Sequence, residues 1–247
     1  MRLDVVFSPV GLTSADVAGR TVFVVDILRA TTTMCAALHH GARAIIPVAT
    51  SEDAVRLAQT LGPGDVRLAG ERDCEPIPGF ALGNSPREMG ERAVRGQTII
   101  MTTTNGTRAL LACQGAVAVH PAAAANITAA GAAARAALER DDPVLILCAA
   151  RQLAFSLDDA YCAGRLAYAA LGERFLRRGL NDTAVAALDL VRRYRGRWER
   201  PLLASAAGRE LTRRGYKADV LDAARADAYP VLAQFHDRRL TLVPQVP

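Results

Sequence analysis

Lysine is almost missing from this sequence: Lys217 is the only one among 30 lysines and arginines, so the formal net charge of +5 rests on arginine. That skew reflects a GC-rich genome rather than a function. The densest basic cluster is Arg192, Arg193, Arg195, Arg197 and Arg200. It carries no known nucleic-acid-binding motif and reads as a solvated helix face and loop, so nucleic acid is not an expected partner. Aromatics are scarce too, at 5% of residues. The five cysteines, Cys35, Cys74, Cys113, Cys148 and Cys162, are odd in number and form no C-x-x-C pair. This excludes a disulfide framework and a structural zinc site, and it fits a reducing cytoplasm. No apolar run reaches the ~18 residues needed to span a membrane. The alanine-rich stretch Ala122–Ala137 is broken by Asn126, Thr128, Gly131 and Arg135, and the opening MRLDVVFSPVGL lacks the shape of a signal peptide.

Several catalytic signatures are absent as well. There is no Gly-Lys-Ser/Thr phosphate loop, no G-x-G-x-x-G dinucleotide fingerprint, no G-x-S-x-G elbow and no H-E-x-x-H. The four histidines, His39, His40, His120 and His236, show no metal-ligand spacing; His39 and His40 read as a helix end.

What is present is an alternation of short apolar runs and helical patterns over 247 residues, 51% of them hydrophobic. Leu3–Phe7, Thr21–Val25, Ala44–Val48, Val66–Ala69, Gln97–Met101, Val117–Val119 and Val144–Cys148 read as strands. Helices are expected over Thr33–His40, Ser51–Leu61, Thr107–Cys113 and Ala122–Leu138, and from Ser156 onward. Ser85-Pro86-Arg87-Glu88 has the form of a capping box. Three further helical stretches follow, and Thr241–Val243 looks extended. The pattern predicts an α/β fold, three-layer α/β/α with a mostly parallel sheet. One domain over residues 1–247 is the default, with a helical excursion at 171–206.

Ligands of such sheets bind outside the carboxyl ends of the strands. The loops after Val25, Ala69, Met101 and Cys148 should therefore open on one edge, and they hold most of the unusual polar sequence. The first reads Asp26-Ile27-Leu28-Arg29-Ala30-Thr31-Thr32-Thr33: a strand-end carboxylate, a planar cation suited to phosphate, and hydroxyls at a helix start. The second holds Glu71, Arg72 and Asp73, then Asn84 and Ser85. The third is Thr102-Thr103-Thr104-Asn105-Gly106-Thr107, where Asn-Gly permits a nest of backbone donors for an anion. The fourth holds Arg151, Asp158 and Asp159. Cys148 reads as core rather than as a nucleophile.

Magnitudes call for a metal. A helix N-terminus contributes only ~0.3–2 kcal/mol toward an anion, whereas phosphate-monoester hydrolysis needs a barrier reduction of over ~20 kcal/mol. Oxygen ligands without histidine or cysteine point to Mg2+.

The strings VVDILRATTT, GER…PGFALGNSP, TTTNGTRAL and FSLDD, in this order, resemble the 2-phosphosulfolactate phosphatase family from about Asp4 to about Pro230. The resemblance implies a Mg2+-dependent acid phosphatase of three-layer α/β/α fold that removes phosphate from 2-phospho-3-sulfolactate in coenzyme M biosynthesis. Asp73-Cys74, Ala81 and His120–Asn126 depart from the family pattern in loops that would face substrate. The expectation is a phosphatase with Asp26, Arg29, Glu71, Arg72 and Asp159 as catalytic residues. Asp26, Glu71 and Asp159 would be the metal ligands. Thr31, Thr32, Thr33, Asn84, Ser85, Thr103, Thr104, Asn105, Gly106 and Thr107 would bind a small anionic phosphorylated substrate. Water attack is favoured over an aspartyl-phosphate because Leu28 stands where a second aspartate would be needed. The alternative is a non-catalytic sensor of a phosphorylated metabolite. A homo-oligomer is left open.

Overall fold

A computed structural model describes residues 2–62, 64–172 and 179–244. The chain opens with strand β1 (Leu3–Val6), short helix α1 (Ser14–Val17), β2 (Thr21–Val25) and α2 (Ala30–His39). It continues through β3 (Ala44–Pro47), α3 (Ser51–Leu61), β4 (Val66–Arg72), the two-residue β5 (Glu75–Pro76), α4 (Glu91–Val94), β6 (Thr98–Thr102) and α5 (Gly106–Ala112). After β7 (Ala118–Ala122) come α6 (Ile127–Glu139), β8 (Val144–Cys148) and α7 (Leu157–Leu171). The last part holds α8 (Asp182–Tyr194), α9 (Glu199–Ala204), α10 (Ala206–Arg213), α11 (Lys217–Ala223), β9 (Ala233–His236) and β10 (Arg239–Leu242). Among the described residues no helix is long and apolar enough to cross a membrane.

The α/β fold is as expected, but the strands form two sheets rather than one. The first is wholly parallel, in the order β1-β8-β2-β7. The second runs β5-β4-β6-β3-β10-β9; its β4, β6 and β3 are parallel, while β5, β10 and β9 join antiparallel. The sheets meet at β7 and β9, where His120 Nδ1 is 2.8 Å from the Ala233 carbonyl. Strand adjacency is decided by long-range pairing, which local periodicity does not encode.

The first sheet is buried on both faces, which is why TVFVV and VLILC are unbroken apolar runs rather than alternating ones. Leu3, Val5, Phe23, Val25, Val144 and Ile146 pack with α6 and α7 on one side. Val22, Val24, Leu145 and Leu147 pack with Met34 and Leu38 of α2 and Leu110 of α5 on the other. The period-2 alternation of the strands divides the two cores.

Local differences have local causes. α2 begins at Ala30 rather than Thr33, because Thr31 N–H donates to the Asp26 carbonyl and starts the turn early. Thr50, not Ser51, caps α3, accepting from Asp53 N–H at 3.0 Å. At 85–88 a 3-10 turn forms instead of a full capping box: Ser85 Oγ accepts from Arg87 N–H, but Glu88 turns to the Gly83 amide. β7 continues through Pro121 to Ala122, which a proline tolerates on an edge strand; the helix after it therefore begins only at Ile127. Of the 171–206 excursion, residues 173–178 lie outside the described residues. The rest is no detached lobe: the Asn181 side chain brackets Val5 of β1, accepting from its N–H at 3.0 Å and donating to its carbonyl at 2.8 Å.

Candidate active site

Four loops at the carboxyl ends of β2, β4, β6 and β8 converge on one cavity of about 270 Å³. Its lining includes Asp26, Leu28 and Arg29 after β2; Glu71, Asp73, Cys74 and Asn84 at and beyond the end of β4; and Thr104 and Asn105 after β6. Ala150, Arg151, Gln152, Asp158 and Asp159 come from the segment after β8. The β2 and β8 loops come from the first sheet and the β4 and β6 loops from the second; the four gather at carboxyl strand ends, as the sequence implied, but across two sheets rather than along one.

The acids are seated by backbone amides. Asp26 Oδ1 is within 3.4 Å of Ala30 N–H at the start of α2, and its carboxylate also accepts from Gly106 N–H at the start of α5. Only glycine allows that second approach: a Cβ at 106 would fall 2.6 Å from the Ala30 Cβ and 2.7 Å from Asp26 Oδ2. Glu71 accepts from Thr104 N–H (2.7 Å), Thr104 Oγ1 (3.1 Å) and Cys74 N–H (2.9 Å). Asp159, in the first turn of α7, accepts from Ile27 N–H (3.0 Å) and Ala150 N–H (3.2 Å), tying the β2 and β8 loops together. Asp158 accepts from Ser156 Oγ at 2.6 Å.

The TTTNGT segment is thus a carboxylate seat. Its Thr104 and Gly106 amides point at Glu71 and Asp26, and Thr103 and Thr107 exchange hydrogen bonds with each other: Thr103 N–H to Thr107 Oγ1 at 3.0 Å, Thr107 N–H to Thr103 Oγ1 at 3.1 Å. The Asn105 side chain faces the turn after β8 and accepts from Gln152 N–H at 3.4 Å.

All four carboxylates are nearly fully buried. Burial first, then repulsion from Glu71 and Asp158, pushes the Asp26 carboxyl up to about 7. Burial, then Asp158 and Asp26, holds Asp159 well above the usual carboxylate range. Asp158 is raised by burial as well. Desolvation disfavours charge on Asp26, Asp158 and Asp159, and for Asp26 and Asp159 the acidic neighbours add to it. Cys148, also buried, is raised far above a reactive thiol and belongs to the core.

Several expected binding residues are turned elsewhere. The hydroxyls of Thr31, Thr32 and Thr33 are fully buried: Thr31 accepts from Asp26 N–H, Thr32 donates to the Ile27 carbonyl and Thr33 to the Asn84 carbonyl. They brace the loops and do not line the cavity. Arg72 points to the opposite side of β4, as strand alternation requires, donating to Thr102 Oγ1 at 2.8 Å and to the Glu71 carbonyl. Ser85 donates to Asp219. The three-carboxylate metal set Asp26, Glu71 and Asp159 is not assembled as the side chains stand. Among the described residues no group of three or more histidine, cysteine, aspartate or glutamate side chains is disposed to hold one ion.

Sequence reasoning did not reach the C-terminal wall. Ala207, Glu210, Leu211 and Arg214, from α10 and just after it, line the cavity. Asp219 of α11 accepts from Arg29 Nη1 and Ser85 Oγ, both at 2.8 Å, in a pair with both side chains 3% exposed on the Arg29 side and the Asp219 side alike. Tyr216 lies under the Arg29 guanidinium, 4.5 Å from its ring centre. KADVLDA has the composition of an ordinary surface helix, and no local signal sets Asp219 apart.

A cavity at the strand ends, acidic on one side and lined by arginines on the other, marks an α/β enzyme for a small anionic substrate. Comparison with known proteins gives the family. A family model described as 2-phosphosulpholactate phosphatase matches residues 6–238. A probable 2-phosphosulfolactate phosphatase of Symbiobacterium thermophilum is 40% identical over 229 residues, 92% of this chain and 96% of that protein. One of Deinococcus radiodurans is 40% identical over 201 residues, 80% of each chain. A Clostridium botulinum relative of the same name is 37% identical over 174 residues, 70% of this chain and 72% of its own. The chain belongs to the 2-phosphosulfolactate phosphatase family, a family of phosphoric monoester hydrolases.

Proposed function

We propose that the protein is a Mg2+-dependent phosphatase that converts 2-phospho-3-sulfolactate to 3-sulfolactate and phosphate, the reaction that places it in coenzyme M biosynthesis. The observation that carries the reading is the cluster of buried carboxylates facing one cavity, with Asp26 pushed up to about 7 by burial and by its acidic neighbours. Such a cluster is under-neutralised, and a divalent cation would relieve it. The donor chemistry fits Mg2+, which takes one or two carboxylates and completes its shell with water and substrate oxygens instead of a closed protein cage. Asp26 and Glu71 would hold it; when bound, it would polarise the phosphoryl group and neutralise charge in the transition state.

The chain's own residues supply the rest. The α2 and α5 amides hold Asp26 in place, and Thr104 holds Glu71. Asp159, fixed between the Ile27 and Ala150 amides and raised in pKa, serves as the proton-handling group for water or the leaving alcohol. Arg29, stacked on Tyr216 and paired with Asp219, forms a fixed, charge-compensated part of the cavity wall. No observation favours the sensor alternative. Incubation with 2-phospho-3-sulfolactate, with Mg2+ and with EDTA, tests the reading: inorganic phosphate should appear only with the metal. No release under either condition sinks the assignment, and equal release under both sinks the role of the metal.

A further inference from the structure

Three arginines line the cavity, and they are not equivalent. Arg29 is held on every side: Nη1 donates to Asp219, Nη2 donates to the Cys74 carbonyl at 2.9 Å, and its face covers Tyr216. Arg214 donates from Nε to Glu210 at 2.6 Å and from Nη1 to Glu75 at 2.8 Å. The Arg151 guanidinium makes no hydrogen bond or ion pair among the described residues, although Asp158 and Cys74 lie within reach of its field.

The backbone around Arg151 is costly and firmly held. Arg151 and Ala154 close a two-residue hairpin, N–H to carbonyl at 3.0 Å one way and 2.9 Å the other. The two central residues, Gln152 and Leu153, have φ of 50° and 68°. This is the primed-turn geometry that Asn-Gly normally supplies. Ala150, just before, has φ of 65°. Non-glycine residues pay for left-handed backbone and keep it only where the surroundings over-determine it. The surroundings do so here: Ala150 N–H is fixed by Asp159, Gln152 N–H by Asn105, and the Leu153 carbonyl by Ser8 Oγ at 2.8 Å. Two of these three anchors are themselves cavity residues. The result is a free guanidinium carried on a backbone that is fixed relative to the carboxylate wall.

We propose that Arg151 is the specificity-determining residue of the site: its guanidinium takes the second acid group, a carboxylate or sulfonate, of a small substrate whose phosphoryl group lies at Asp26 and Glu71. The proposal rests on the phosphatase reading, and two readouts separate their failures. In turnover, Arg151→Met should lower kcat/KM about 10–100-fold on 2-phospho-3-sulfolactate, the loss of one charge-assisted pair. The ratio of that value to the one for phenyl phosphate, which has no second acid group, should fall by a similar factor. 2-Phospholactate, which has only the carboxylate, distinguishes the two acid groups: a full loss there assigns Arg151 to the carboxylate, and a small one to the sulfonate. In binding, calorimetry with 3-sulfolactate should show affinity about 10-fold or more weaker for Arg151→Met, with Arg151→Lys between. Equal proportional loss on phenyl phosphate, unchanged 3-sulfolactate affinity, or no binding by the unmodified protein would each overturn the proposal. Arg151-dependent binding without any phosphate release would overturn only the phosphatase reading.

Discussion

The acidic and basic sides of the cavity are built by opposite means. On the acidic side, Asp26, Glu71 and Asp159 are seated by backbone amides from α2, α5, the Thr104 turn and the β8 loop. Amides orient a carboxylate but leave its formal charge in place; burial first, and then repulsion from acidic neighbours, raises Asp26 and Asp159. On the basic side, Arg29 and Arg214 are held by Asp219, Glu210 and Glu75, and their charge is cancelled where they stand. One side thus keeps a surplus of acid groups that a cation would relieve. The other is neutral by design except at Arg151. If the proposed metal binds on the acidic side, the division serves both ligands, since neither the cation nor an anionic substrate at Arg151 would displace a protein counter-ion.

The contrast can be broken most directly at Asp26. Replacing it with asparagine keeps an acceptor for the Ala30 and Gly106 amides but removes the charge. Phosphate release should fall by about 10³-fold or more, while the circular dichroism spectrum stays native. Near-normal turnover would show that the acidic side is not the catalytic one.

The basic side should fail in stability rather than chemistry alone. Asp219→Ala leaves the Arg29 guanidinium buried without its partner and should cost about 3–5 kcal/mol in a urea titration. Ser85→Ala removes only one bond to the same carboxylate and should cost about 1 kcal/mol. If both are silent, Arg29 is not held in the way described.

The acidic side can also be tested by pH, without a substitution. Asp26 titrates at about 7 in the folded protein without a cation, against about 4 in an unfolded chain. The folded state holds the proton more tightly, so Asp26 lowers stability progressively as pH rises through the interval between those values. The melting temperature of the EDTA-treated protein should therefore fall from about pH 5 to about pH 8, and Mg2+ should restore it at the upper end. A curve that rises through this window, or that Mg2+ leaves unchanged, would mean that the carboxylates are already compensated.

Much of this was legible in the sequence for one reason: the parallel sheet is covered on both faces. TVFVV and VLILC could hardly be anything but buried strands, and the polar segments that follow them had to gather at one edge. The second sheet was less legible. β9 and β5 are short and partly exposed, and β10 was marked only by an extended tail. Within the site, sequence identified Asp26, Glu71 and Asp159 as belonging together but misjudged the threonines. A hydroxyl at a helix start can face a ligand or its own backbone, and Thr31–Thr33 chose the backbone because their side chains are fully enclosed. Arg72 was lost to strand alternation, Asp219 to an unremarkable helix.

The sequence alone determined the alternation of strands and helices, the edge on which chemistry collects, and the family, because each depends on residue types at short spacing. The tertiary structure decided which charges are free. Whether an arginine is a clamp or a strut depends on what packs beside it, and that is set by residues far away in the chain: Asp219 lies 190 positions from Arg29. Arg151 stands out only once every other cation in the cavity has been seen to have a partner.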